Sequence, residues 1–239
     1  MPLLSLNAQI PALSVVGVVE NSTITHVAIL KSEIRPLPGH SYPVWHTGPP
    51  TGKFKIPINI SAHISDLSND EAALLKSDIA RLLKQVPRIT PTTDDNEKKR
   101  QLLSHYTVIP PIRSVRDEVD GTFRYFRFSC AGFVAHCYKQ SLDVQLVDLT
   151  SLPKASKAEI EQAYGNSLSD LTSEEVEELG LNQRRRQTIN GLGWKTTIDE
   201  EPTGWPILLP GYLIKALDRD DGEIRTTPLV PTSSADSRI

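Results

Sequence analysis

The sequence predicts an α+β fold with an antiparallel sheet, and three patterns indicate it. Two β-rich runs, residues 13–19 and 24–30, are separated by a short polar break that is typical of a hairpin. Apolar residues recur at helical spacing after Ser68 until Pro87 stops the run. A second apolar helical pattern begins after Ser129. We therefore expect the sheet to pack against a helix that opens just after Ser129.

The other elements follow from similar patterns. Residues 31–52 contain five prolines and three glycines, which predicts a loop or an irregular ribbon. Residues 90–100 are polar and charged, so we expect an exposed loop there. Further strands are expected at residues 54–60, 106–112 and 144–149, and further helices at residues 157–164, 173–179 and 208–217.

Length and composition favour one folded domain. The chain has 239 residues, of which 38% are hydrophobic and 23% are charged. We expect a single domain over residues 1–225, with a helical extension from about residue 155, and a flexible tail at residues 226–239. The net charge of -3 provides no electrostatic basis for binding nucleic acid.

The two cysteines, Cys130 and Cys137, are seven residues apart. On one helix this spacing separates them by about 10 Å along the axis, which is too far for a disulfide. Both are therefore expected to be free thiols, which suits a reducing compartment. The sequence has no run near the roughly 18 apolar residues of a membrane span, and its N-terminus lacks the pattern of a signal peptide. We therefore expect a cytoplasmic protein without a transmembrane segment.

Cys130 is the candidate nucleophile. Ser129 is a suitable N-cap, which puts Cys130 in the first helical turn, where unpaired backbone N–H groups and the helix dipole favour a thiolate. A thiolate of this kind attacks acyl carbons. The alternative is that Cys130 is a core residue, because free cysteines are among the most buried residue types. Cys137, in the middle of the same helix, fits that alternative well.

A thiol nucleophile needs a base, and the sequence has six histidines as candidates for that role. His26 lies in a β-patterned run, where a histidine is more often half-buried than catalytic. If residues 40–46 are extended, His40 and His46 point the same way. His136 lies on the predicted cysteine helix, well around it from Cys130, and is expected at the surface.

Two segments resemble a known family. The helix start Ser129-Cys130-Ala131-Gly132-Phe133-Val134 resembles the cysteine motif of the NlpC/P60 superfamily of papain-like amidases. The run Thr25-His26-Val27-Ala28-Ile29-Leu30 resembles the histidine strand of the circularly permuted branch, in which the histidine precedes the cysteine. That branch includes the lecithin:retinol acyltransferase-like enzymes and bacterial relatives. The resemblance spans residues 26–138, and the later residues match no motif of the family.

The resemblance implies a papain-like fold and a thiol-dependent hydrolase or acyltransferase that cleaves an amide or ester. It implies Cys130 as the nucleophile and His26 as the general base. The third catalytic residue is usually polar and lies on the next strand; His40 is the nearest candidate, and His46 is the alternative. The implied partner is a small-molecule, peptide or lipid acyl substrate.

A non-catalytic binding or scaffold domain that retains a papain-like fold is the alternative to an enzyme. No cofactor is expected, because the sequence contains neither a glycine-rich dinucleotide motif nor a P-loop. No metal site is expected either, since the H-E-x-x-H and C-x-x-C patterns are absent.

Overall fold

The computed structural model describes residues 9–48, 51–95, 97, 101, 104–107, 111–117, 119–164 and 205–238. The helix expected at residues 173–179 lies outside this part of the chain. Among the described residues, the fold is α+β, as the sequence predicts: an antiparallel sheet with helices packed on it. None of the described helices is long and apolar enough to cross a membrane.

The main sheet has five antiparallel strands in the order β4-β3-β2-β1-β5. Their bounds are β1 Val15–Glu20, β2 Thr23–Leu30, β3 Ser41–Thr47, β4 Thr51–Pro57 and β5 Ile60–Ala62. The β1–β2 hairpin turns at Asn21 and Ser22, which have φ values of 49° and 61°. Two successive residues of positive φ fit the turn that matches strand twist, so the predicted hairpin is confirmed.

The prediction of a loop or irregular ribbon at residues 31–52 is wrong for the second half of this segment, because strand β3 lies there. Pro43 is opposite Lys55 within the β3–β4 ladder, and Val44 pairs with both β4 and β2. Pro43 lies beyond the two residues of β3 that pair with β2, and its carbonyl accepts a hydrogen bond from the Lys31 N–H at 3.1 Å. Its missing N–H group therefore falls at the end of that ladder.

Two main helices, α1 Asn69–Gln85 and α2 Cys130–Leu142, pack on each other and on the sheet. A capping box between Ser68 and Glu71 begins α1. The side chain of Ser129 caps α2, which therefore begins at Cys130 as predicted. Asp143 ends α2 in the left-handed conformation, with a φ of 54°.

Apolar residues fill both faces of the sheet. One face packs against the helices in the larger core, to which Val27, Ile29 and Cys130 belong. The opposite face carries a smaller cluster that includes Ala28 and Leu30. Consecutive residues of β2 thus alternate between the two cores, as a regular strand requires.

A separate hairpin precedes α2. It consists of β6 Ile112–Arg116 and β7 Phe123–Phe128, and Tyr106 forms an isolated parallel bridge to Phe128. The strand expected at residues 106–112 is therefore only partly observed among the described residues, with β6 beginning where the expected strand ends.

The C-terminal residues add short elements around this core: β8 Lys154–Ala155, α3 Lys157–Tyr164, β9 Trp205–Pro206, α4 Pro210–Leu217, α5 Asp221–Thr226 and a 3-10 helix Ser234–Ser237. The expected helix at residues 157–164 is confirmed. Within residues 144–149, Val144, Leu146 and Val147 are buried as expected, whereas Gln145 and Leu149 are exposed. The segment forms no strand, because Val147 makes only a single bridge, to Leu229.

Residues 226–238 pack against the domain, in contrast to the flexible tail expected from the sequence. Asp236 accepts hydrogen bonds from Thr232 and forms an ion pair with Lys215 on α4 at 2.6 Å. The backbone of Ser237 lies so close to Gly211 on α4 that a Cβ atom at Gly211 would overlap it. Contacts to α4, which sequence polarity does not reveal, hold this segment in place.

Gly132 in the first turn of α2 permits a close approach that we predict to be essential for stability. A Cβ atom at this position would overlap the carbonyl oxygen of Pro111, which accepts a 3.0 Å hydrogen bond from the Ser129 backbone N–H. Gly132→Ala should lower the free energy of unfolding by about 1–3 kcal/mol, measured by urea denaturation. Gly222→Ala is the matched control, since Gly222 is also in a first helical turn but meets only the Asp220 side chain. Equal stability of the two variants would contradict the prediction.

Candidate functional site

The hairpin and the cap of α2 position Cys130. Strand β7 ends at Phe128, and Ser129 then turns the chain into the helix, its Oγ accepting a 2.9 Å hydrogen bond from the Gly132 N–H. The Ser129 carbonyl accepts the first helical hydrogen bond, from Phe133. Cys130 is only 2% exposed in this position. Local sequence signals thus place the cysteine at a helix start, and tertiary packing buries it.

Burial decides the protonation state of the Cys130 thiol. The backbone N–H groups of Val27, Ala131 and Cys130 itself favour the thiolate, as expected at a helix start. Desolvation opposes them and is the larger effect, so the pKa of Cys130 rises to about 12. The expected stabilisation of a thiolate is therefore outweighed, and Cys130 is a neutral thiol at pH 7.

The Cys130 thiol meets β2 next to His26. The Val27 N–H that faces the sulfur belongs to the peptide bond between His26 and Val27. Tyr106 and Tyr164 are also close enough to interact electrostatically with Cys130. The two sequence-predicted residues, Cys130 and His26, are thus brought to the same point of the sheet.

His26 and His46 form a hydrogen-bonded pair on adjacent strands. The His26 Nε2 atom lies 2.6 Å from the His46 Nδ1 atom, and the rings meet edge to face. Phe54 of β4 packs edge to face on the other side of His46. Burial lowers the pKa of His26 to about 3, with a further contribution from His46, and it lowers the pKa of His46 to about 4. Both imidazoles are therefore neutral at pH 7.

The imidazole pair and the thiol approach β2 from different directions. By strand alternation His26 shares its face with Ala28 and Leu30, whereas Val27 faces the core that contains Cys130. The Nε2 atom of His26 is hydrogen-bonded to His46, so the Nδ1 atom of His26 is the ring nitrogen outside this hydrogen bond. Cys130 and His26 are therefore adjacent through the backbone at Val27.

His40, the nearest candidate for the third residue, is not part of this arrangement. It is exposed, immediately before β3, and its Nδ1 atom is 3.1 Å from the carbonyl oxygen of Pro38. Of the two candidate histidines, His46 makes the contact with His26, and its role as the third catalytic residue stays a prediction. In the sequence, the run Val44-Trp45-His46-Thr47 was the signal that could have indicated His46, because its apolar residues suggest a buried strand that contains this histidine.

Gly48 covers the imidazole pair. A Cβ atom at this position would come within 3.0 Å of the His46 ring and 3.1 Å of the His26 ring. The Nε2 atom of His46 is buried and has no hydrogen-bond partner among the described residues. Gly48 therefore lies against both rings, and one buried nitrogen of His46 has no partner in the described part of the chain.

The remaining histidines lie elsewhere. His136, expected at the surface, is half-buried and packs against the rings of Phe126 and Phe128. It lines a cavity of about 220 Å³ between α1, β7 and α2, together with Cys137 rather than Cys130. Within the described ranges, no group of three or more histidine, cysteine, aspartate or glutamate residues is arranged to bind a metal.

Because both imidazoles are neutral in the folded protein, we predict that the free energy of unfolding decreases as the pH falls. The folded-state pKa values of His26 and His46 lie below the unfolded value near 6.5, so the unfolded chain binds more protons as the pH falls from about 6.5 towards 4. His46→Gln should reduce the slope of unfolding free energy against pH by up to about 1.4 kcal/mol per pH unit in this range. Urea denaturation at pH 7, 6 and 5 measures the slope. His40→Gln removes an exposed imidazole and is the control; equal slopes in both variants would contradict the prediction.

Comparison with known proteins identifies no relative of this chain. No protein-family model matches the chain, and the searches of curated proteins and of solved structures also find no match. The functional interpretation therefore depends on the positions of Cys130, His26 and His46, and on the chemistry that these side chains permit.

Proposed function

We propose that this protein is a thiol-dependent hydrolase or acyltransferase that acts on an amide or ester bond, on a papain-like fold of the permuted NlpC/P60 type. One observation supports the proposal above all. The Cys130 thiol lies at a helix start against the N–H group that follows His26, and His26 is hydrogen-bonded to His46 at 2.6 Å. The three side chains thus lie at one point of the sheet, although the His26 ring is on the opposite face of β2 from the sulfur. Covalent acyl transfer needs a direct contact between thiol and base, so the proposal includes a rearrangement that brings the two together.

The hydrogen bond between the imidazoles supports specific roles for the ring nitrogens. When His26 Nε2–H donates to His46 Nδ1, the His26 Nδ1 atom is unprotonated and can accept the thiol proton. The lone pair of His46 Nδ1 then stabilises the imidazolium that forms on His26. His46 is thus the positioning residue, a role that the acidic or polar third residue has in other triads.

The proposed reaction begins when His26 removes the proton from the Cys130 sulfur. The thiolate attacks the carbonyl carbon, and the backbone N–H of Cys130 at the helix start stabilises the oxyanion. When the tetrahedral intermediate collapses, the proton on His26 goes to the leaving amine or alcohol, and a thioester remains on Cys130. Water or another nucleophile then releases the acyl group and restores the thiol.

Activation requires that the resting site changes. Cys130 is 2% exposed, and burial opposes both charged partners of a thiolate–imidazolium pair. A substrate or a small thiol reagent must therefore reach the sulfur through an opening of the neighbouring groups, and the proton moves to His26 in that open state. The charge pair is stronger in such a water-poor site once it has formed.

The burial of Cys130 also favours a second candidate function, a non-catalytic binding or scaffold domain. In that case the cysteine is a core residue, and the pair of His26 and His46 only contributes to packing. Alternation along β2, which turns the His26 ring away from the core of Cys130, is consistent with this candidate.

Thiol alkylation distinguishes the two candidates. Both cysteines are buried, so Cys137 is an internal reference within the same helix. For a catalytic site, we expect iodoacetamide to modify Cys130 at least about tenfold faster than Cys137 between pH 5 and 8, as mapped by mass spectrometry. His26→Ala should abolish this difference. Equal and slow modification of both cysteines would favour the scaffold.

Removing the third residue tests the assignment of His46. In acylation by a simple activated ester, p-nitrophenyl acetate, His26→Gln should slow thioester formation on Cys130 by about 10²–10⁴-fold. His46→Gln should slow it by at least about tenfold, because His26 loses its orienting partner. His40→Gln is the matched control and should react like the unmodified chain. A rate that depends on His40 rather than on His46 would refute the assignment.

A further inference from the structure

Three side chains form a row across the hairpin that precedes α2. Arg113 on β6 is directly opposite Arg127 on β7 in the strand register. On the other side of β7, the carbonyl of His105 accepts a hydrogen bond from the Phe128 N–H at 3.2 Å. The parallel bridge of Tyr106 to Phe128 puts His105 on the same face as Arg127. We refer to Arg113, Arg127 and His105 as the cationic row.

Among the described residues, the two arginines of this row have no counter-charge. Like charges directly opposite each other destabilise an antiparallel pair. In the part of the chain that the structure describes, no carboxylate forms an ion pair with Arg113 or Arg127. The same hairpin satisfies its other arginines, since Arg124 pairs with Asp117, and Arg116 donates to the Gly121 carbonyl at 3.0 Å.

Two buried nitrogen atoms of the row also lack partners among the described residues. The Nε atom of Arg127 is a buried donor without an acceptor. His105 is 2% exposed, and its Nδ1 atom has no partner. The other ring nitrogen donates to the carbonyl of Pro87. Burial, with a smaller contribution from Arg127, lowers the pKa of His105 to about 4, so its Nδ1 atom is a hydrogen-bond acceptor at pH 7.

We propose that the cationic row binds a phosphate group, with Arg113 and Arg127 contacting its oxygens and His105 accepting its hydrogen. Guanidinium groups bind phosphate through paired N–H donors, which would satisfy the Nε atom of Arg127. A bound dianion would also remove the repulsion between the arginines. The acceptor at His105 selects for an oxyanion that carries a hydrogen, as inorganic phosphate does near pH 7 in its dianion HPO4²⁻. A phosphate monoester, with a second pKa of about 6, carries such a hydrogen only as its monoanion. Sulfate and carboxylates carry no such hydrogen at this pH.

Calorimetric titration of the full chain at pH 7 and constant ionic strength tests this site. Inorganic phosphate should bind saturably, and glycerol 3-phosphate is titrated to distinguish a free phosphate ion from the phosphate of a larger molecule. Tighter binding of glycerol 3-phosphate identifies a monoester as the ligand, and tighter binding of inorganic phosphate identifies the free ion. Sulfate should bind at least about tenfold more weakly than phosphate. Absence of saturable binding, or equal affinity for sulfate and phosphate, would overturn the proposal.

Substitutions assign the binding to the row. Arg113→Gln and Arg127→Gln should each weaken phosphate binding at least about tenfold. Arg124→Gln removes the same charge from the same hairpin, so it is the matched control and should bind like the unmodified chain. Arg113 is exposed, which keeps the test valid if the half-buried Arg127 is needed for folding. A loss in Arg124→Gln as large as in Arg113→Gln would refute the site. The test requires no activity of Cys130 and is independent of the proposed reaction.

Discussion

The burial of the α2 N-terminus against the backbone of β2 is the contact on which the rest of the arrangement depends. It brings the sulfur of Cys130 to the N–H of Val27 and requires Gly132 to pass under the carbonyl of Pro111. Two turns further along α2, the Tyr138 hydroxyl donates to the carbonyl of Leu13 at 2.8 Å. The helix is thus held at both ends, and its register relative to the sheet determines which residue meets the N–H of Val27.

Desolvation is the dominant electrostatic effect in this region. A helix start lowers the pKa of a cysteine when water or cationic groups reach it. For the buried Cys130, desolvation destabilises the thiolate more than the backbone N–H groups stabilise it. The same cost keeps His26 and His46 neutral. The three side chains therefore form an uncharged group at rest, in which a change of charge must accompany a change of solvation. This property links any chemistry at Cys130 to an opening of the surrounding structure.

Residues far apart in sequence enclose this group. The Tyr164 hydroxyl, at the end of α3, lies 3.4 Å from Ser129 Oγ and donates to the carbonyl of Leu208. Arg225 on α5 forms ion pairs with Asp66 and Glu71 at the start of α1. Such partly exposed pairs contribute little each. They link α5 to the start of α1, while Tyr164 covers the cap of the cysteine helix.

The sequence alone determined the elements with local signals. The β1–β2 hairpin, the capping box at Ser68, the start of α2 at Cys130 and the helix at residues 157–164 all follow from neighbouring residues, because turns and caps are decided within a few positions. The roles of Cys130 and His26 in catalysis, and the resemblance to the NlpC/P60 superfamily, remain predictions.

Only the tertiary structure decided what depends on distant partners. Strand β3 exists despite Pro43 because strands on both sides pair with it, and that pairing selects His46 instead of His40 beside His26. Residues 144–149 are equally apolar but lack a partner strand. Cys130 was recognisable as a helix start, whereas its neutral state is set by its burial in the folded chain, which the local sequence does not reveal. Pairing and desolvation are non-local, and for that reason they appear only in the folded chain.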